Sequence, residues 1–233
     1  MTSPSPLLYD TYYHIYNRGT NGANIFIQER NYEYFLKLYE KHIVPVADTF
    51  AYCMLRNHFH VSVRIKSEEE VLSVMKKPPV KNLKVSMPAS KHDTQDSPAS
   101  NDEDLKRKPL GFENYASQQF SNFFNAYAKS INIGYGRTGS LFEHPFGRVP
   151  ITNDRQFWNV IAYIHQNPQK HGFVKDFRDW KYSSYGIILS EKRTSVNRAE
   201  VMKWFGSKED YLSLHSEWVT DAQAKWFAGD DFD

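Results

Sequence analysis

His58-Phe59-His60 is the first place in the chain where residue type and spacing suggest chemistry. The segment HFHVSVRI alternates, so on a strand both imidazoles leave one face while Phe59 anchors the other. Two ring nitrogens a few ångströms apart suit one divalent metal ion. The pattern alone is weak. With nine histidines and 40% apolar residues, a His-apolar-His arises by chance in about one such chain in seven. Two half-exposed sheet histidines are the plain alternative.

Tyr163 and Asn167 form a second pair. Four residues apart, they lie one above the other on a helix, and Asn167 precedes Pro168 where an amide oxygen can turn towards a ligand. A core tyrosine and a C-terminal cap would look the same. His165 points to roughly the opposite side of that helix and reads as structural. His14, on the first strand, could approach the site if that strand neighbours the His58 strand, although packing is the plainer reading. Arg18, Arg64, Arg137, Arg148, Lys170 and His171 are candidate phosphate contacts, with plain surface solvation as the alternative for each. Trp180, Tyr182 and Tyr185 could stack on bases or fill the core. Lys76, Lys77, Lys81 and Lys84 form a basic run that a solvated helix end also explains.

The elements that must position these residues follow from periodicity. Strands are expected at Thr11–Tyr16, Thr49–Leu55, His58–Ile65 and Phe146–Ile151, with a tight turn at Arg56-Asn57. Helices are expected from about Glu29 to Val44, over Glu68–Lys77 and over Tyr115–Ile131. Another starts after the Asn153 cap and ends near Asn167-Pro168. Weaker helices are expected at Ser184–Leu189 and Arg198–Trp218. Pro78–Pro109 holds five of eleven prolines and no aromatic residue, so it reads as a flexible insertion. One domain over residues 1–218 and an acidic tail over 219–233 complete the organisation.

Composition narrows the options. A net charge of +2 excludes a uniformly basic DNA-coating protein, and the single Cys53 excludes a disulfide framework and CxxC zinc sites. No apolar run approaches the ~20 residues that span a bilayer, and the start lacks signal-peptide features, so the expected location is the cytoplasm.

Five ordered blocks carry a family resemblance: YHIYNRGTNGANIF, AYCMLRNHFHVSV, GRTGSLFEHPF, AYIHQNPQKHGFV and DWKYSSY. Together they make the chain similar to the REP-associated tyrosine transposases, a branch of the HUH single-strand DNA transposases. The match runs from about Tyr13 to Tyr185 outside the insertion. Where many members have proline before the Asn-His of the strand, this chain has Arg56.

The resemblance implies an α+β fold, a ferredoxin-like or RRM-like antiparallel sheet with helices packed on one face. It implies that His58, His60 and Asn167 bind a divalent metal, Mg²⁺ or Mn²⁺, and that Tyr163 is the nucleophile. An unperturbed phenol ionises near pH ~10, so it needs the metal's field to attack phosphorus. The implied partner is single-stranded or hairpin DNA, with monomer and homodimer both open. Two other activities fit the same residues: a nucleic-acid-binding module that does not cut, and a metal phosphodiesterase that uses water.

Overall fold

Strand β3, His58–Ile65, sits inside a four-stranded antiparallel sheet of order β2-β3-β1-β4 in the computed structural model, which describes residues 5–75 and 114–228. The other strands are β1 (Tyr12–Arg18), β2 (Ala47–Met54) and β4 (Gly147–Ile151). Helix α1 (Glu29–His42) joins β1 to β2. Helices α2 (Glu68–Met75) and α3 (Tyr115–Gly134) lie between β3 and β4. This β-α-β-β-α-β progression gives the expected ferredoxin-like sheet. The proposed insertion and the lysine run from Lys76 onward lie outside the described residues.

Alternation along β3 divides the two faces. Phe59, Val61, Val63 and Ile65 join β1's Tyr13 and Ile15 against α1 and α3, in a core rich in phenylalanine. Phe59 is 1% exposed and its ring lies 5.1 Å from Phe35 and 5.8 Å from Phe124. These two helices pack on one face, as the fold class requires.

The opposite face has a cover of its own. Helix α4 (Asp154–Lys170) lies over β2 and β3, backed by α5 (Tyr185–Ile188), α6 (Arg198–Phe205), α7 (Lys208–Ser216) and α8 (Asp221–Ala228). Asn153 caps α4, its side chain accepting from Gln156 N at 2.9 Å. The helix does not stop before Pro168 but runs through it to Lys170. Proline removes one donor and crowds the preceding turn, yet every residue from Val160 to Pro168 is buried here, and that packing outweighs the local penalty.

Two other boundaries differ from the sequence reading. The single helix expected over Arg198–Trp218 is two, parted at Gly206, whose φ of 85° suits glycine. Part of the expected tail is α8, with Val219 and Ala224 buried. Among the described residues no helix is long and apolar enough to cross a membrane.

Candidate active site

The even-numbered face of β3 meets α4. His60 and Asn167 are fully buried, and His58 and Tyr163 are nearly so. The His58 and His60 rings lie 5.2 Å apart, nearly perpendicular, and the Tyr163 ring stands edge-on to His60 at 5.6 Å. Asn167 Nδ2 donates to the Tyr163 carbonyl at 2.9 Å, and its side chain also reaches His58, whose pKa it raises. The four residues that the resemblance singles out are therefore neighbours. Strand β3 supplies two and a single turn of α4 supplies the others.

Strand β1 contributes a third imidazole. Its register sets His14 opposite Ser62 and Tyr16 opposite His60, so both rings lie on the histidine face. His14 Nε2 is 3.0 Å from His60 Nδ1, and its ring meets Tyr163 edge-on at 6.0 Å. Tyr16 closes the row beside His60. Glycine is required at position 147 on β4, because a Cβ there would fall 2.1 Å from the Tyr16 ring.

Burial sets the electrostatics. Desolvation, then the nearby His171 and Arg18 charges, pushes His58 down to about 3. Desolvation and then the other imidazoles, His14 first, hold His60 well below its ordinary value. Both rings are thus neutral near pH 7, as a metal ligand must be. The Nδ1 atoms are engaged, His58 with Asn57 Oδ1 at 2.9 Å and His60 with His14. Each Nε2 atom and Asn167 Oδ1 are sealed from solvent.

A divalent ion fits this donor set: two neutral imidazoles with Nδ1 occupied and an amide oxygen beside them. Among the described residues no group of three or more His, Cys, Asp or Glu is placed to hold a metal. The third donor would be the amide.

The remaining candidates separate cleanly. Lys170 Nζ lies 5.4 Å from the Tyr163 ring centroid and the exposed His171 ring 4.8 Å from His58, so both rim the site. Arg18 is the register partner of His58 and pairs with Glu143 at 3.1 Å. The rest are not brought to the site. Arg64 shares the histidine face but lies at the far end of β3, held by Asp48 at 2.6 Å. Arg148 is opposite Ile15 and stacks over Phe146 at 3.8 Å, on the other face. Arg137 lies in the loop after α3, its N–H donating to Asn132. Tyr182 stacks on Tyr32 at 3.6 Å and Trp180 Nε1 donates to Met54, so both are structural. Asn57, which holds His58 Nδ1, is not among the residues that type and spacing single out, and its one signal is an amide immediately before the first histidine.

The fold and this cluster define a ferredoxin-like protein that sets a His-x-His strand against a tyrosine-bearing helix. No family model matches the chain. Over 49 residues, 21% of this chain, it is 37% identical to a curated Haemophilus influenzae protein classed with the REP-associated tyrosine transposases. That alignment spans 28% of the relative's length. The solved structure of a REP-associated tyrosine transposase bound to a REP hairpin superposes with a TM-score of 0.51 at 12% identity, covering 82% of this chain and 86% of that one. The chain is thus similar in sequence to a REP-associated tyrosine transposase over that short stretch, and it shares the fold of the solved one.

Proposed function

We infer that the chain cleaves and rejoins single-stranded, hairpin-forming DNA in a divalent-metal-dependent reaction, with Tyr163 as the nucleophile. One observation carries the reading. A tyrosine, two neutral imidazoles and an amide oxygen converge in a buried cluster rimmed by Lys170 and His171. The solved relative's REP hairpin suggests the DNA class.

His58, His60 and Asn167 would hold Mg²⁺ or Mn²⁺, which when bound polarises a non-bridging phosphate oxygen and offsets the charge of the transition state. Tyr163 Oη attacks phosphorus and the P–O3′ bond breaks. The phenol gives up its proton and the departing 3′ oxygen takes one up. The products are a 5′-phosphotyrosine and a free 3′-hydroxyl. A second 3′-hydroxyl can then attack, breaking the P–Oη bond and returning a proton to Tyr163, so joining needs no ATP. Lys170 and His171 at the rim orient the phosphate on entry, and Arg18 lies at the strand end beside them.

The test is a denaturing gel of the protein with 3′-labelled hairpin DNA and Mg²⁺ or Mn²⁺. Label migrating with the protein is the expected result. Cutting without a covalent adduct would assign the attack to water, and binding without cutting would leave a recognition module.

A further inference from the structure

We propose that His14 is a positioning residue: it accepts a hydrogen bond from His60 Nδ1 and so fixes the tautomer that leaves the lone pair on His60 Nε2. The consequence for metal binding rests on the function proposed above, whereas the hydrogen bond itself does not. A neutral imidazole can carry its proton on either nitrogen, and only the Nδ1–H form makes Nε2 a ligand. The choice is set by what the other nitrogen meets.

The geometry points to His14 as that partner. Its Nε2 lies 3.0 Å from His60 Nδ1, with the rings stacked at 5.1 Å and 17°. Antiparallel register places the two residues diagonally across β1 and β3 on the same face. Both are fully buried. Packing alone explains this position poorly, because burying an imidazole is costly unless it is hydrogen-bonded, and a phenylalanine would fill the space without that cost. His14 also touches the Tyr163 ring, so one side chain braces the strand ligand and the helix nucleophile together. Asn57 does the matching service for His58, which gives both histidines the same arrangement: Nδ1 held, Nε2 buried.

The experiment uses the full chain labelled with ¹⁵N-histidine. Two-bond ¹H–¹⁵N spectra of the metal-free protein should show His60 as the Nδ1–H tautomer in the wild type. His14→Gln, whose amide reaches the position of Nε2, should keep that tautomer, and His14→Phe should mix or reverse it. By calorimetry, His14→Phe should bind Mn²⁺ about 10- to 100-fold more weakly, the usual cost of losing a ligand's supporting hydrogen bond. His14→Gln should stay within a few-fold of the wild type. A wild-type His60 protonated on Nε2, or a folded His14→Phe protein that binds Mn²⁺ as tightly as the wild type, overturns the proposal. If His14→Phe does not fold, the wild-type and His14→Gln spectra decide it. A wild type that keeps the Nδ1–H tautomer yet binds no Mn²⁺ upholds the His14 bond and overturns the metal reading instead.

Discussion

Two buried histidine clusters lie on opposite sides of α4, and they differ in what their ring nitrogens do. On one side His165 Nδ1 meets His215 Nε2 at 2.8 Å and His165 Nε2 meets Ser184 Oγ at 2.7 Å. His215 Nδ1 lies 2.7 Å from the Tyr211 carbonyl, which can only accept. Protons therefore run in one direction, from Ser184 to His165, to His215 and to Tyr211, and no ring nitrogen remains for a ligand. On the other side His58 Nδ1 lies 2.9 Å from Asn57 Oδ1 and His60 Nδ1 lies 3.0 Å from His14 Nε2, while both Nε2 atoms are buried on the face that meets Asn167 and Tyr163. Burial depresses the pKa values in both clusters, so a depressed histidine does not by itself mark a functional site. The account of each nitrogen separates them: one cluster locks α7 to α4, and the other presents donors.

The largest expected effect belongs to the donor side. Replacing both His58 and His60 with Ala should abolish Mn²⁺ binding in calorimetry and cleavage in gels, while a cooperative thermal transition persists at a lower midpoint, because the phenylalanine-rich face of β3 is untouched but two buried rings are lost. Undiminished cutting would remove the metal site from this account. Phe59→Ala, on that packing face, should do the reverse. It should cost ~3–5 kcal/mol in urea unfolding, as truncating a fully buried aromatic does, while the surviving folded protein still binds Mn²⁺.

A smaller effect belongs to the locking cluster. Burial pushes His215 down to about 4, and burial, then the neighbouring His215 charge, holds His165 well below its ordinary value. An unfolded chain takes up a proton on each near pH ~6.5, whereas the folded chain does not. Stability should therefore be full above that pH and fall as pH drops from about 6.5 towards 4, by roughly 1.4 kcal/mol per pH unit for each histidine. Urea midpoints at pH 7.5, 6 and 5 read this directly. Constant midpoints would mean that protons reach the cluster in the folded state. Asn167→Ala should be mildest, weakening Mn²⁺ by about tenfold, ~1.4 kcal/mol, because both imidazoles remain. Complete loss of binding would make the amide, and not the histidine pair, the principal donor.

Much of this was legible locally. Period-two alternation gave the faces of β3, and the spacing of Tyr163 and Asn167 gave one face of α4, because both patterns repeat within a few residues. What could not be read locally depended on partners distant in sequence. Whether His14 reaches the site turned on a strand neighbour 46 positions away, which only register fixes. Pro168 read as a helix stop because the burial that outweighs its penalty comes from tertiary packing. The face of Arg148 shows only through its pairing with Ile15, which sets it away from the histidines. Arg64 lies on the right face, but Asp48, supplied by β2, engages its charge.

The central claim concerns one hydroxyl, and Tyr163→Phe tests it most directly. Phenylalanine fills the same volume against His14 and His60, so stability should change by less than ~1.5 kcal/mol and Mn²⁺ and DNA binding should persist. Incubated with 3′-labelled hairpin DNA and Mn²⁺, the variant should give neither cut strand nor protein–DNA adduct, whereas the wild type gives both. A Tyr163→Phe protein that still cuts and releases a 5′-phosphate would contradict the account, because water would then be the nucleophile.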